Sequence, residues 1–269
     1  MHRRTFLKAA GAAGLSSMLG LPTVQAGQLE ALRYQLTVPE IFRPLPDPPE
    51  YTQAIVIGSG FGGAIAACRL AQAGVQTTVL ERGSRWLSHP TRSIFTNDGL
   101  PDGRGFWHRT SWKSGTGITQ YFDDFGGVLD VTSYPNIDVW RAACVGGGSV
   151  VYTGVSLEPE QRFFDAVFQG SLDYDEMHSI YYPRARSMLR VSPMPDDVYA
   201  HHAFAHSRIW DDQVRKAGYT PERVDGIWNW DIVRDEMAGR ARPSALIGES
   251  NFGNSNGAKY DLNQTYLKL

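Results

Sequence analysis

Residues 53–83, QAIVIGSGFGGAIAACRLAQAGVQTTVLERG, decide the fold of this chain. The apolar run Ala54 to Ile57 predicts a short strand that leads into the loop Gly58 to Gly63. A helical pattern follows, and a second β-branched run, Thr77 to Leu80, ends at Glu81. A strand, a glycine loop, a helix, a strand and an acid at these spacings predict a βαβ unit that binds an adenine dinucleotide. The alternative is a glycine-rich turn that binds nothing.

Each part of the predicted unit has a physical task. Gly58 permits a tight turn, Gly60 lets the main chain approach a pyrophosphate, and Gly63 lets the helix pack closely on the strands. The free N–H groups of a helix that begins near Phe61 would face the anion. The carboxylate of Glu81 would accept hydrogen bonds from the hydroxyls of an adenosine ribose.

The composition allows a sizeable apolar core and gives no sign of nucleic-acid binding. The chain has 269 residues, 42% of them hydrophobic, a net charge of −2 and a pI near 6.4, which suits one large domain or two small ones. Cys68 and Cys144 form no CxxC pair, so we expect two buried thiols and neither a redox nor a zinc site. The histidines at 201, 202 and 206 lack an acid at ligand spacing, so we expect no metal site.

Two segments precede the first predicted strand. Residues 1–26 contain a twin arginine, Arg3-Arg4, an apolar stretch and the small-residue pattern Val24-Gln25-Ala26. They predict a Tat-type signal peptide that is cleaved after about Ala26, and therefore export to the periplasm or secretion; the alternative is a retained amphipathic helix. Residues 27–50 lack strong periodicity and end in a proline-rich run, so we expect a stiff spacer before the unit at 51–83.

Two regions of interest follow the βαβ unit. Residues 84–137 combine turn formers with many aromatic side chains, which predicts either a lid or wall over an apolar substrate or an irregular subdomain with its own small core. Residues 138–158 carry a second glycine run, Gly146-Gly147-Gly148-Ser149, after a short strand. Such a run suits close approach of the main chain to a planar ring or a phosphate, although alone it would also fit a packing turn.

The remainder of the chain predicts a helix-rich substrate domain. Apolar residues recur at helical spacing over 159–168 and 174–190, within a domain that we assign to residues 159–258. Residues 259–269 then begin a return toward the βαβ unit. The predicted fold class is α/β, with a Rossmann-like dinucleotide-binding core and an α+β substrate domain.

Several of these motifs together resemble the glucose-methanol-choline oxidoreductases, and more narrowly the bacterial sterol-oxidising branch of that family. The resemblance covers about Ala54 to Leu267. It rests on the loop Gly58 to Gly63 with Glu81, Gly127-Val128-Leu129-Asp130, the run Gly146 to Ser149 with Glu158-Pro159, Tyr182-Pro183-Arg184-Ala185, Pro243-Ser244-Ala245-Leu246 and Asp261 to Leu267.

The resemblance implies FAD, bound without a covalent link. It implies that the pyrophosphate lies among loop residues, the adenosine ribose on an acid, and the flavin end beside the second glycine run. In this sequence those residues are Gly58, Gly60, Phe61, Gly62 and Gly63 for the pyrophosphate, Glu81 for the ribose, and Gly147, Gly148 and Ser149 for the flavin end. Tyr152 and Val155 stand where the sterol branch has Asn and Met.

The resemblance also implies an activity and its partners. The CH–OH group of a sterol-like alcohol would give a hydride to the flavin, and oxygen or another acceptor would take the electrons, with a coupled shift of a ring double bond. The apolar substrate implies contact with a membrane surface from which a sterol is extracted. No catalytic residue is assigned, because the resemblance places the His, the Asn and the carboxylate beyond Leu269, in a C-terminal half before which this chain is truncated. We therefore expect little or no turnover from these 269 residues alone. The alternatives are a non-catalytic flavin-binding remnant and half of a split dehydrogenase completed by a C-terminal partner.

Overall fold

The computed structural model describes residues 26–97, 99–113 and 117–268, without the side chains of residues 26–31. The chain divides after Pro46 into two units. In the first unit the structure has helix α1, Ala26–Thr37, and a 3₁₀ turn, Pro39–Phe42. The predicted signal peptide, residues 1–26, lies outside the described residues except for Ala26.

The prediction of a spacer over residues 27–50 was wrong for its first half. Helix α1 occupies Ala26–Thr37, although its apolar residues show little helical periodicity. The segment Gln28 to Arg33 consists of residues with high helix propensity, so the main chain forms a helix without a strong apolar stripe. Only the proline-rich stretch after Phe42 lacks helix.

The second unit begins with the predicted βαβ motif. Strand β1 is Ala54–Ile57, helix α2 is Phe61–Gln72 and strand β2 is Thr77–Leu80. The two strands are parallel, with Ala54 opposite Thr77 and Ile57 opposite Leu80. These bounds confirm the elements predicted from the sequence.

Two antiparallel hairpins follow in the region 84–142. The first pairs β3, Ser111–Lys113, with β4, Thr119–Tyr121. The second pairs β5, Leu129–Ser133, with β6, Asp138–Ala142. β6 leads directly into the second glycine run.

The aromatic side chains of this region pack on one another. The buried ring of Phe106 stacks on Phe122 with ring centroids 5.0 Å apart and on Trp112 at 5.8 Å. Phe252 meets the same ring edge-on at 5.4 Å. Trp86 is also buried and stacks on Phe95. These contacts are those of an irregular subdomain with its own small core, the second of the two interpretations given for residues 84–137.

Short helices build the rest of the second unit. The helices predicted over 159–168 and 174–190 are confirmed, the second of them with a π-helical turn, Met177–Tyr181, in its middle. In chain order the helices are α3, Gly148–Val151; α4, Gln161–Phe168; α5, Tyr174–Glu176; α6, Tyr182–Leu189; α7, Asp196–Ala200; α8, Ala205–Lys216; and α9, Trp230–Met237. The 3₁₀ turns are His202–Phe204 and Ala245–Ile247.

The last described residues pack against the helix of the βαβ unit. Leu262 and Tyr266 form a buried cluster with Ala64 and Cys68, which lie on the inner face of α2. Cys68 and Cys144 are free thiols and both are buried, as expected from the sequence. The C-terminal segment therefore fixes the position of the helix that begins at the glycine loop.

A buried carboxylate network lies in the segment that follows α9. Glu249 accepts two hydrogen bonds from the guanidinium of Arg242, at 2.9 and 2.6 Å, and one from the hydroxyl of Ser244. Burial opposes its ionisation, but these bonds and the charge of Arg242 lower the pKa of Glu249 below its ordinary value. Burial raises the pKa of Asp261 instead.

The two carboxylates predict opposite effects of pH on stability. As pH falls through the lowered pKa of Glu249, the free energy of unfolding should fall, because only the ionised form keeps the pair with Arg242. Asp261 acts in reverse, since its contribution is present at low pH and is lost as pH rises through its raised pKa. Urea unfolding across the acidic range should show a weaker pH dependence for Glu249→Gln and a stronger one for Asp261→Asn. Equal slopes in the wild type and both variants would contradict the assignment.

None of the described helices is long and apolar enough to cross a membrane. Within the same residues, no group of three or more His, Cys, Asp or Glu side chains could hold a metal ion.

Candidate functional site

The glycine loop forms a tight turn whose outer side is open. Gly58 has φ +85°, a conformation that an L side chain rarely adopts. A Cβ atom added to Gly63 would lie 2.0 Å from the carbonyl oxygen of Gly58, so α2 packs directly on the turn. Cβ atoms added to Gly60 or Gly62 would meet nothing within 4 Å. The first N–H groups of α2 therefore border free space, and they have no carbonyl partner inside the helix.

The second glycine run lies against the first. A Cβ atom added to Gly147 would lie 2.6 Å from the Cα atom of Gly60, so the two main chains are in direct contact. Gly148 begins α3, and its added Cβ atom would be 3.8 Å from the ring of Phe61. The same Phe61 ring meets Tyr152 edge-on at 5.8 Å. The residues predicted to hold the dinucleotide thus lie together near the carboxyl ends of β1 and β2. The exception is Ser149, which is buried under the second glycine run.

Glu81 is held in place by donors from both sides. Its Oε2 accepts the amide of Ser59 at 2.9 Å and the hydroxyl of Ser59 at 2.7 Å, and its Oε1 accepts the amide of Gly83 at 3.0 Å. Partial burial disfavours the charge, but these hydrogen bonds outweigh that effect, so the pKa of Glu81 lies below its ordinary value. The site therefore carries a carboxylate at neutral pH.

The underside of the second glycine run is fixed by buried polar contacts. The hydroxyl of Ser149 donates to the carbonyl oxygen of Gly146 at 2.7 Å and accepts the amide of Leu262 at 3.0 Å. The ammonium of Lys259, which is only 1% exposed, donates to the carbonyl oxygens of Val150 and Tyr152 at the end of α3. The C-terminal segment thus holds the run from below.

An apolar cavity of about 230 Å³ opens beside Phe61. Its other walls come from Tyr152, Leu157, Tyr182 and Leu189, with Glu158 at one side. The imidazole of His178 forms a short hydrogen bond with Glu158. None of the described residues of the aromatic stretch 84–137 lines this cavity, so the cavity next to the loop gives no support to a substrate wall at that stretch.

Known proteins are similar in sequence to about half of this chain. The family description of an NAD(P)-binding Rossmann-like domain matches residues 56–123. A cholesterol oxidase of Acinetobacter baumannii is 27% identical over 139 residues, which are 51% of this chain and 22% of the relative. A GMC-type oxidoreductase of Mycobacterium tuberculosis, itself uncharacterised, is 30% identical over 158 residues, 56% of this chain and 22% of the relative. A cholesterol oxidase of the same organism is 28% identical over 148 residues, 55% of this chain and 23% of the relative.

The resemblance to the glucose-methanol-choline (GMC) oxidoreductases is confirmed. It extends over about half of this chain, and the Rossmann-like part of the predicted fold class is confirmed with it. The matched segment spans 22 or 23% of the length of these relatives.

The residues present fit the ADP half of FAD, the cofactor that the GMC resemblance implies. Cβ atoms added to Gly60 and Gly62 would project into a free space at the N-terminus of α2, which we call the cradle. A methyl group at either residue would occupy part of the space available to an anion there. Glu81 supplies the carboxylate expected at the ribose. At the ring end, the main chain of Gly147 and Gly148 is near the loop, whereas the hydroxyl of Ser149 already has partners on both sides. Ser149 would therefore act on a flavin through its main chain or through the shape of the turn.

Two residues of the site were missed by sequence reasoning. Ser59 lies inside the glycine motif, and its side chain bridges the two glycine segments, a contact that the motif itself does not predict. Lys259 lies far along the chain in a segment without a recognisable motif. A small hydroxyl residue between two motif glycines is the one signal that could have indicated Ser59.

Proposed function

We propose that this chain binds FAD as part of a GMC-type oxidoreductase that acts on the CH–OH group of an apolar, sterol-like alcohol. The observation that carries the proposal is the direct contact between the two glycine segments, at Gly60 and Gly147, in front of an open cradle. The cholesterol oxidases among the relatives support the alcohol class. Oxygen or another acceptor would receive the electrons.

The roles of the residues follow from their positions. The amides at the start of α2 bind the pyrophosphate, and Glu81 accepts hydrogen bonds from the ribose. The contact of Gly147 with Gly60 keeps the ring end of the dinucleotide next to the loop. When it is bound, FAD supplies the capacity to accept a hydride from the alcohol carbon. The chain contributes binding and orientation, and the cavity beside Phe61 offers apolar walls to the substrate.

The size of that cavity restricts what it can take. Its volume of about 230 Å³ is below the range of roughly 300–1,000 Å³ usual for pockets that enclose a whole drug-sized ligand. We therefore assign it to a part of the apolar substrate, such as one end of a fused ring system. The pair Arg3-Arg4 supports export of this oxidoreductase, and extraction of the substrate from a membrane surface would follow from its low solubility.

The visible spectrum tests the proposal directly. The purified chain should bind FAD with a shifted flavin absorption, and in the complete oxidoreductase that contains it cholesterol added without oxygen should bleach this absorption. A chain that takes up neither FAD nor ADP would overturn the proposal. Bound flavin that cholesterol does not bleach would leave FAD binding in place and remove the sterol substrate.

A Gly60→Ala variant tests the cradle. Its φ of −66° and ψ of −172° suit alanine, and the added methyl group meets no protein atom, so the free energy of unfolding should change by less than about 0.5 kcal/mol. The methyl group occupies the space assigned to the pyrophosphate, so ADP affinity measured by calorimetry should fall at least roughly tenfold.

The control is Gly126→Ala, where the methyl group meets Trp107 at 3.5 Å, an ordinary contact outside the glycine motifs. This variant should bind ADP like the wild type. Undiminished ADP affinity in Gly60→Ala would place the pyrophosphate elsewhere.

One observation favours a second candidate, a flavin-binding half of a split GMC dehydrogenase. Ile57 is 86% exposed and Ile55 is 60% exposed on one face of β1, although parallel strands are usually covered on both faces. A complementary polypeptide that covers this face would complete the site. An unbleached flavin that becomes reducible by cholesterol only after addition of such a polypeptide would support this candidate over the first.

A further inference from the structure

Ser59 connects the three parts of the candidate site. Its side chain is only 1% exposed. The hydroxyl donates to Oε2 of Glu81 at 2.7 Å and accepts the amide of Gly146 at 3.1 Å, while the amide of Ser59 also donates to Glu81 at 2.9 Å. One buried hydroxyl thus joins the first glycine loop, the acid at the end of β2 and the second glycine run.

The surrounding main chains leave little room for adjustment. A Cβ atom added to Gly83 would lie 1.9 Å from the carbonyl oxygen of Ala143, and one added to Gly147 would lie 2.6 Å from Gly60. The strand ends and the second run therefore touch on both sides of Ser59. In such a packed setting, the hydroxyl sets the orientation of the Glu81 carboxylate and the distance from Gly146 at the same time.

We propose that Ser59 is a positioning residue for nucleotide binding, which aims the Glu81 carboxylate at the ribose diol through its bridge to Gly146. The inference rests on the proposed dinucleotide site and adds a residue to it. Ser59 itself is buried beneath the loop and touches no ligand. Its effect reaches the ribose only through Glu81.

A pair of ligands separates positioning from general structural support. ADP has the 2′-hydroxyl that a positioned carboxylate would bind, and 2′-deoxy-ADP lacks it. A hydrogen bond to a charged group should make wild-type affinity for ADP about tenfold higher than for 2′-deoxy-ADP. In Ser59→Ala this ratio should fall below about threefold, because the carboxylate keeps its two amide donors but loses the hydroxyl bridge to Gly146 that sets its orientation.

A merely structural role would leave the ratio unchanged. Loss of loop order lowers the affinity for both ligands by the same factor, because both carry the same diphosphate. An unchanged ratio in Ser59→Ala, with both affinities reduced or not, would overturn the inference. If Ser59→Ala is unfolded at the assay temperature, Ser59→Cys, which keeps a similar shape with a weak donor, takes its place in the same measurement.

A double variant tests whether Ser59 acts through Glu81. Glu81→Gln should itself reduce the ratio, and Ser59→Ala combined with Glu81→Gln should reduce it no further than Glu81→Gln alone. Additive losses in the double variant would contradict the proposed route. Failure of the wild-type chain to bind ADP at all would instead remove the proposed function, and this inference with it, so the two failures are distinguishable.

The pH profile gives an independent readout. The Ser59 hydroxyl is one of the donors that hold the pKa of Glu81 below its ordinary value, together with the amides of Gly83, Ser59 and Arg82. The neighbouring Cys144 thiol, whose pKa burial raises, stays neutral in this range, and the Arg82 side chain faces Asp130. On acidification, ADP affinity should therefore begin to fall at a higher pH in Ser59→Ala than in the wild type. Coincident pH profiles would contradict the inference.

Discussion

A Gly63→Ala variant is expected to be destabilised by about 3 kcal/mol and to lose measurable ADP binding. The added Cβ atom would lie 2.0 Å from the carbonyl oxygen of Gly58 and 3.2 Å from a methyl group of Val56. The obstacle is main chain, which cannot rotate away like a side chain, so either α2 or the turn must move. Urea unfolding measures the loss of stability, and calorimetry measures the loss of ADP binding.

The neighbouring glycine supplies the matched control. A Cβ atom added to Gly62 meets nothing within 4 Å, and Gly62 lies in the same turn of α2. Gly62→Ala should therefore keep or slightly raise stability, since alanine favours a helix by about 1 kcal/mol over glycine. Equal stability of Gly62→Ala and Gly63→Ala would show that close packing of α2 on the turn does not hold the site together.

This pair of variants also shows what the sequence could predict. The spacing of the glycines assigned a packing task to Gly63 and a ligand-facing task to Gly60, and the contacts of each agree with its task. The bounds of β1, α2 and β2 followed from local apolar runs and β-branched residues. Such features are encoded within a few residues of one another, so a single sequence reveals them.

Contacts between distant segments could not be predicted in this way. Ser59 meets Gly146 across 87 positions of the chain, and Lys259 meets Val150 across 109. No local periodicity encodes which buried hydroxyl or ammonium meets which carbonyl. The same limit applies to the aromatic residues 84–137, whose abundance predicted a large apolar surface but not whether a ligand or another ring would cover it. The ring of Phe106 is covered by Phe122 and Phe252.

A Lys259→Met variant is expected to lose about 3–5 kcal/mol of stability, because several buried carbonyl oxygens lose their donor at a cost of about 1–3 kcal/mol each. The ammonium is 1% exposed and donates to the carbonyl oxygens of Val150, Tyr152 and Ser250 at 2.8, 2.5 and 3.0 Å. Methionine fills a similar volume, but it leaves three buried acceptors without their charged donor.

The carbonyl groups of Val150 and Tyr152 lie at the end of α3, so loss of their donor should also disturb the second glycine run, from which α3 begins. In Lys259→Met, ADP affinity and the free energy of unfolding should both fall. In Gly60→Ala, by contrast, only ADP affinity should fall. The control is Lys216→Met, where an exposed ammonium pairs with Asp212 at 2.6 Å on the surface of α8, and its cost should stay below about 1 kcal/mol. Thermal and urea unfolding of the two lysine variants gives the comparison. A Lys259→Met protein as stable as Lys216→Met would mean that the second run holds its shape through Ser149 and the glycine contacts alone.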